Sequence, residues 1–459
     1  MSQHTTFLKS IPAFRTLSSR DAAQLSSQCE PLSFKAGSQI IRRGDPGDAM
    51  YVIAKGEVRV PVLDDAGREK FVARLGAGEF FGEMALLTGE PRNADVYAET
   101  AVDTLVIRRA PLQTFLAKHP SVASFLTEIL GRRLMETGSM RQVGKYKLIG
   151  ELGRGGMAIV FEGLHPTLNT TVAIKMLSHE LVYDEDFCTR FKNEAKIIAA
   201  LQHENIVQVI DSEEAFATFF IVMEKIGGTV LSQMIDKRGV VPFEDTRSIL
   251  RQLAEALDCA HTHGVIHRDI KPSNVIIEES GRVKLMDFGI AKTRAEAAQE
   301  DEDIVGTAEY MSPEQALGKK MDGRADLYSV GIMAFEMLTG RLPFDSPDPY
   351  EILRKHVRED VPNPRDFNPR VPDDLVELVR RCTAKRPEDR FQHGRELAEF
   401  LSRAEPQGLD LARARTKGMT FIYDGTHDEA VQAVIRRALA EAKKIPGMKV
   451  SITESGKVY

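Results

Sequence analysis

Short apolar runs alternate with glycine-bearing turns in residues 34–108. Runs of β-forming residues bounded by turn residues are typical of strands in an antiparallel sheet. The glycines fall where a positive φ or a tight turn is easiest for a residue without a Cβ. The pattern therefore predicts a compact antiparallel barrel or roll, with turns marked by Gly37, Gly44, Gly47, Gly56, Gly67, Gly76 and Gly78.

The spacing of apolar residues becomes helical after this segment. In residues 111–137 it follows the i, i+3, i+4, i+7 order of an amphipathic helix. We expect one helix here, packed against the roll and leading into the next segment. Its apolar stripe consists of Val122, Phe125, Leu126, Ile129, Leu130 and Leu134.

Further changes of pattern near Gly144 and Pro406 divide the chain into three parts. In the last part, residues 408–459, two β-type runs flank an amphipathic helix and predict a small α/β appendage of βαβ type. No catalytic group is recognisable there, and packing or partner binding would both explain it. The apolar face of its helix contains Val431, Val434, Ile435 and Leu439.

Composition narrows the classes of function. The chain has 459 residues, with 61 Lys and Arg against 67 Asp and Glu and a net charge of −6. This balance gives no general attraction to nucleic acid or to an anionic membrane. No apolar run approaches the roughly 20 residues that span a bilayer. Four widely spaced cysteines fit a reducing cytosol better than a disulfide scaffold or a zinc site, so we expect a cytoplasmic protein.

A glycine-led apolar turn in residues 81–94 carries one carboxylate and one arginine that suit a small phosphorylated sugar. Backbone N–H groups near Glu83 would face an anion, and the guanidinium of Arg92 would neutralise it. The segment resembles the phosphate-binding cassette of cyclic-nucleotide-binding domains, and the resemblance covers residues 7–140. It implies Arg92 on the cyclic phosphate and Glu83 on the ribose 2′-hydroxyl, with backbone contacts from Gly82, Met84 and Ala85.

The base of the nucleotide stays open in this resemblance. Asn93 stands where that family often has a small residue for cAMP or Thr for cGMP, so cAMP is only slightly favoured. In the family, the helix after the roll caps the ligand or forms a dimer, which raises a homodimer as one arrangement. The alternative is a ligand-free docking or dimerisation module.

Residues 145–404 contain a second constellation of charged groups. A glycine-rich loop at Gly153 and Gly155 joins two β-type runs, so it is not the strand-to-helix loop of a dinucleotide site. Downstream lie His267-Arg268-Asp269-Ile270-Lys271-Pro272-Ser273-Asn274 and Asp287-Phe288-Gly289. Phosphoryl transfer needs a carboxylate at the attacking hydroxyl, cationic charge on the phosphates and oxygen ligands for Mg²⁺, and these residues supply all three.

In this order the motifs resemble a eukaryotic-type protein kinase, closest to the bacterial Ser/Thr branch. The resemblance implies a two-lobed α+β fold, ATP and Mg²⁺ as cofactors, and protein substrates. Lys271 and Thr307 point to serine or threonine acceptors. Implied catalytic residues are the base Asp269, Lys271 on the γ-phosphate, and Lys175 held by Glu194; implied metal ligands are Asn274 and Asp287. Implied ATP contacts are Leu152, Gly153, Gly155, Val160, Ala173, Lys175, Met223, Glu224, Ile226 and Ile276.

The kinase motifs bear on two alternatives. All the charged catalytic residues are intact, so a kinase fold without chemistry is disfavoured. The segment before Thr307 is poor in phosphate acceptors and contains the acidic run 300–303. Either this run offers Arg268 a permanent carboxylate in place of a phosphate, or it is a solvated charged stretch.

Together the parts predict a multidomain protein: a β-roll, a two-lobed kinase fold and a small α/β appendage. The function this implies is a cytoplasmic Ser/Thr kinase regulated by cAMP or cGMP. The alternative is a constitutive kinase whose roll binds no small ligand. A cyclic-nucleotide-responsive transcription factor is disfavoured, because the kinase motifs stand where a helix-turn-helix would follow the roll.

Overall fold

The computed structural model describes residues 3–11, 14, 17–63, 69–88, 91–119, 123, 127, 130–131, 134–135, 142–155, 158–182, 197–216, 218–288 and 308–404. The chain divides into two compact units, Met1–Ala398 and Glu399–Tyr459. Several sequence predictions fall outside the described residues: Gly67, Val122, Phe125, Leu126, Ile129, Glu194, the acidic run 300–303, Thr307 and the extension 408–459.

The predicted roll is confirmed as two four-stranded antiparallel sheets. Their strand orders are β1-β8-β3-β6 and β2-β7-β4-β5. Apolar residues such as Ile53, Val58 and Phe81 form a core cluster between them. The elements are α1 Gln3–Ser10, α2 Ser19–Ser27, β1 Glu30–Phe34, β2 Gln39–Ile41, β3 Ala49–Lys55, β4 Val58–Leu63, β5 Glu69–Leu75, β6 Phe80–Phe81, α3 Glu83–Thr88, β7 Val96–Ala98, β8 Val102–Arg108 and α4 Arg109–Lys118.

The single helix predicted over residues 111–137 is wrong. α4 ends at Lys118, and His119 leaves the helical region with φ −132° and ψ 70°. The cause is Pro120, which lacks an N–H and disfavours helical backbone in the residue before it. Helical conformation returns in a second segment, which we call the connecting helix, at residues 123, 127, 130, 131, 134 and 135. Leu130 and Leu134 are buried there, as predicted.

A six-stranded antiparallel sheet follows the connecting helix, in the order β13-β14-β12-β11-β10-β9. Gly144, where the sequence changes character, lies in the hairpin between β9 and β10 with φ +53°. The predicted strands on both sides of the glycine-rich loop are confirmed. The elements are β9 Gln142–Val143, β10 Tyr146–Gly155, β11 Ala158–Leu164, β12 Thr171–Leu177, α5 His179–Val182, β13 Val209–Ala215 and β14 Thr218–Glu224.

The remainder of the first unit is mainly helical. The core helix Arg324–Thr339 is buried along nearly its whole length, as its almost continuously apolar sequence requires.

No helix in the described ranges is both long and apolar enough to cross a membrane. The elements are β15 Thr229–Val230, α6 Leu231–Arg238, α7 Phe243–Thr262, β16 Val275–Ile277, β17 Val283–Leu285, α8 Pro313–Ala316, α9 Arg324–Thr339, α10 Pro349–Arg358, α11 Asp373–Cys382 and α12 Gly394–Ala404. Short 3-10 turns occur at Pro272–Asn274, Pro364–Asp366 and Pro387–Asp389.

Candidate functional site

Asp326, at the start of α9, fixes the loop that carries the predicted catalytic residues. Its carboxylate accepts hydrogen bonds from the backbone N–H groups of His267 and Arg268, both at 2.8 Å. The Nε2 atom of His261 lies 2.7 Å from the same carboxylate. Burial opposes its charge, yet these hydrogen bonds hold the pKa of Asp326 below its ordinary value. The carboxylate thus holds Arg268 at a φ of +65°.

Two predicted catalytic residues and one predicted metal ligand meet in this loop. The Nδ2 of Asn274 donates to the backbone oxygen of Asp269 at 2.8 Å and to its Oδ2 at 3.0 Å. The ammonium of Lys271 lies 3.3 Å from the same Oδ2. The amide of Asn274 therefore orients the Asp269 carboxylate, and a lysine cation lies beside the same oxygen.

Asp287 and Lys175 form an ion pair. The Lys175 ammonium on β12 lies 2.7 Å from Asp287 Oδ1. Asp287 has a φ of +58°, and the preceding residue, Met286, is held by a hydrogen bond from its N–H to the Asn274 carbonyl at 3.0 Å. Since Asn274 Nδ2 is engaged with Asp269, its amide oxygen is the atom available to a cation. Amide and carboxylate oxygens are ligands that suit Mg²⁺.

Most predicted ATP contacts lie on β10, β11, β12 and β14, which are neighbours in the six-stranded sheet, whereas Ile276 lies on β16 and Ile226 follows β14. Strand pairing sets Val160 of β11 opposite Lys175, and Ala173 of β12 opposite Met223. Alternate residues of a strand face one side of the sheet, so Ala173 and Lys175 share a face. Leu152, Gly153 and Gly155 lie exposed on β10, while Ile226 and Ile276 are half-buried.

Glu224 departs from a simple role as an ATP contact. Its Oε1 accepts from the ammonium of Lys284 at 2.7 Å and from the backbone N–H of Gln208 at 2.8 Å. The side chain thus joins β14 to β17 and fixes the strand end that leads to Ile226. Sequence reasoning missed Lys284, although a lysine inside the apolar run 283–286 was a usable signal.

Glu314 and Arg390 form a buried ion pair. Two parallel hydrogen bonds of 2.7 and 2.9 Å join the carboxylate to the guanidinium. Arg390 also donates to the carbonyls of Ala384, Arg324 and Lys385. All five of its N–H donors are therefore used. The side chain of Arg390 is 0% exposed and that of Glu314 10%.

The predicted cassette forms a short helix, α3, preceded by Gly82 at φ +81°. Arg92 is only 6% exposed, and it donates to the carbonyls of Gly82 and Ala49, both at 2.7 Å. Burial lowers the pKa of Arg92, although a guanidinium keeps its charge in proteins. Glu83 is buried at the first position of α3. The structure thus brings Arg92 and the start of α3 together through Gly82.

The remaining cassette residues differ in exposure. Met84 and Ala85 are buried, whereas Asn93 is exposed. Gly47 packs so closely on α3 that a Cβ there would lie 2.0 Å from the Cβ of Ala85. Arg109 donates to the carbonyls of Gly47 and Ala85 and so ties both to the start of α4. Sequence reasoning missed this second arginine, because it lies outside the cassette motif.

Comparison with known families gives two matches. Residues 146–399 match the model described as "Protein kinase domain". Residues 31–119 match the model described as "Cyclic nucleotide-binding domain". The first match covers more than half of the chain.

Curated relatives are bacterial kinases. The serine/threonine-protein kinase PrkC of Bacillus subtilis is 33% identical over 315 residues, which are 68% of this chain and 48% of that protein. A probable serine/threonine-protein kinase of Clostridium acetobutylicum is 39% identical over 259 residues, 56% of this chain and 39% of the relative. This chain spans about two fifths to half the length of these relatives.

Among solved structures, the Mycobacterium tuberculosis PknI kinase domain is 30% identical. The match covers 57% of this chain and 97% of that one, with a TM-score of 0.48. On the family match and the motifs in its catalytic loop, this chain belongs to the protein kinase family and carries a cyclic-nucleotide-binding domain before its kinase domain.

Proposed function

We propose that this protein is a Ser/Thr kinase that transfers the γ-phosphoryl group of ATP to protein hydroxyls, under the control of a cyclic nucleotide bound to the roll. The observation that carries the catalytic part is that Lys271 and Asn274 both contact the same carboxylate oxygen, Oδ2 of Asp269. We assign residues 145–404 to the kinase, 7–140 to the sensor and 408–459 to an extension of unassigned role. The proposed location is the cytoplasm.

Each charged residue has a distinct task in the transfer. The acceptor oxygen bonds to the γ-phosphorus, the bond from that phosphorus to the β,γ-bridging oxygen breaks, and Asp269 takes the hydroxyl proton. Lys271 neutralises negative charge on the transferred phosphoryl group, while Lys175 binds the α- and β-phosphates. Mg²⁺ held by Asn274 and Asp287 would neutralise charge on the leaving phosphates. Because Asn274 also orients Asp269, it links metal and base.

The kinase part is tested with purified chain, Mg²⁺, radiolabelled ATP and a mixture of Ser-, Thr- and Tyr-containing peptides. We expect label on phosphoserine and phosphothreonine after acid hydrolysis. Label confined to phosphotyrosine, or no transfer to peptide or to the chain itself, would contradict the proposal.

The sensor part rests on Arg92, a buried cation beside the start of α3. Helix N-termini and arginines both bind phosphate, so the two together favour an anionic ligand. Glu83 would accept from the ribose 2′-hydroxyl. Asn93 is exposed at the end of the cassette and does not decide between the bases, so cAMP and cGMP are both candidates.

Arg92→Gln is expected to weaken cyclic-nucleotide binding by about tenfold to a hundredfold, since a hydrogen bond to a charged group contributes about 1.5–3 kcal/mol. Calorimetric titration with cAMP and with cGMP measures the change. The control is Arg74→Gln on the same roll, where an exposed arginine pairs with Glu99 at 2.9 Å; this variant should bind like wild type. Absence of saturable binding by wild type would instead favour the ligand-free docking module.

A further inference from the structure

The connecting helix packs on the back of the six-stranded sheet, opposite the face that carries Lys175. Alternate residues of β11 and β12 point to opposite faces of the sheet. Ile159, Val172, Ile174 and Met176 are buried in one apolar cluster with Leu130 and Leu134 of the connecting helix. The connecting helix therefore covers, from the opposite face, the strands that hold the proposed ATP site.

Gly131 lies close against the sheet. A Cβ at this position would lie 2.4 Å from Ile159 Cδ1 and 3.7 Å from Met176 Cε. Ile159 is only 2% exposed, so its side chain has little room to turn away. The backbone of the connecting helix thus rests directly on β11, next to the glycine-rich loop.

Thr127 makes a polar contact one turn away. Its Oγ1 accepts from the backbone N–H of His179 at 2.7 Å and lies 2.9 Å from His179 Nδ1. His179 Nε2 lies 2.9 Å from the carbonyl of Phe216. A carbonyl only accepts, so Nε2 carries the ring proton and Nδ1 accepts from the Thr127 hydroxyl. Burial lowers the pKa of His179 to about 4, which keeps this neutral arrangement. Thr127 therefore links the helix to the segment after β12 and to the turn after β13.

The same apolar cluster extends to the cassette. Met84 and Leu86 of α3 belong to it, as do Phe115 and Leu116 of α4. Close-packed side chains shift together when one element moves, because the interior has few voids to absorb a displacement. Packing therefore connects α3 with the connecting helix without a break in the cluster.

We propose that the connecting helix couples the two ligand sites. Its positioning residues are Gly131, which holds it against β11, and Thr127, which holds it to the segment after β12. This rests on the proposed function, because it requires that both a cyclic nucleotide and ATP bind. Coupling between sites is reciprocal, so cAMP changes the affinity for ATP by the factor by which ATP changes the affinity for cAMP.

The experiment measures the dissociation constant of cAMP for the full chain with and without the ATP analogue adenylyl-imidodiphosphate and Mg²⁺. We expect the two values to differ by about fivefold or more in wild type. Thr127→Val keeps the shape of the side chain but removes both hydrogen bonds, so its ratio should fall close to one. The control is Thr104→Val in β8, which removes a buried hydroxyl bonded only within the roll, to the Leu32 carbonyl at 3.1 Å, and should keep the wild-type ratio.

A second pair of variants tests the packing. Gly131→Ala forces a methyl group onto Ile159, and Ile159→Val removes the Cδ1 atom that it would strike. We expect Gly131→Ala to change the ratio and the double variant to restore it. A wild-type ratio in both Thr127→Val and Gly131→Ala would overturn the coupling route and leave the proposed function standing. A ratio of one in wild type, or no binding of either cAMP or cGMP, would overturn the proposed regulation and this inference with it.

Discussion

Asp269→Asn is expected to lower kcat for peptide phosphorylation by about 10²–10⁴-fold, the usual range for loss of a general base. The amide has the shape of the carboxylate, but it cannot take the hydroxyl proton. The substitution also removes the negative charge that lies 3.3 Å from the Lys271 ammonium. Initial-rate kinetics with saturating peptide give kcat, and titration with adenylyl-imidodiphosphate and Mg²⁺ gives the nucleotide affinity, which should stay near wild type.

Asp373→Asn is the matched control for this variant. Asp373 has a side chain 93% exposed and pairs with Arg365 at 2.6 Å, where an ion pair contributes about 0–1 kcal/mol. Its kcat should equal that of wild type. If Asp269→Asn retained wild-type kcat while thermal melting showed an intact fold, Asp269 would not be the base.

Glu314→Ala should reduce the free energy of unfolding by about 3–5 kcal/mol, because it leaves a fully buried guanidinium without its anion. Arg390 cannot shed its proton, and its other donors are already bound to backbone carbonyls. A loss of this size is a large part of the roughly 5–15 kcal/mol that stabilises a typical domain. Urea unfolding followed by circular dichroism measures it.

Glu377→Ala provides the comparison with another doubly hydrogen-bonded pair that differs in burial. Glu377 also makes two hydrogen bonds to an arginine, Arg380, both at 2.7 Å, but the Arg380 side chain is 71% exposed. The expected loss is below about 1 kcal/mol. Equal losses in the two alanine variants would refute burial as the cause. If Glu314→Ala yields no folded protein, Glu314→Gln retains one acceptor and should show an intermediate loss.

The charged residues of the proposed active site were predictable because phosphoryl transfer restricts which side chains can stand at each position. Asp269, Lys271 and Asn274 lie within six residues of one another, so their convergence depends on one local loop. The glycine-punctuated strands of the roll were predictable for a similar reason: turn chemistry is local.

Contacts between distant segments were not predictable in this way. Thr127 meets His179 and Lys284 meets Glu224 only in the folded chain, and no spacing rule links these pairs. The apolar stripe indicates the large residues of the connecting helix, but gives no sign that Gly131 lies close against Ile159. Pro120 was the local signal for the break after α4. The apolar spacing in residues 111–137 nevertheless led to the prediction of a single helix.

The apolar cluster that joins the roll to the six-stranded sheet also bears on how the chain unfolds. Leu8 at one end and Val222 at the other belong to the same cluster. Melting either part would expose the apolar face of the other to water, at about 25 cal/mol for each Å² uncovered. The boundary between the two sequence families is therefore not a boundary of folding cooperativity. A truncated kinase domain that begins at residue 145 would lack the connecting helix. The apolar face of its six-stranded sheet would then be exposed to water and prone to self-association.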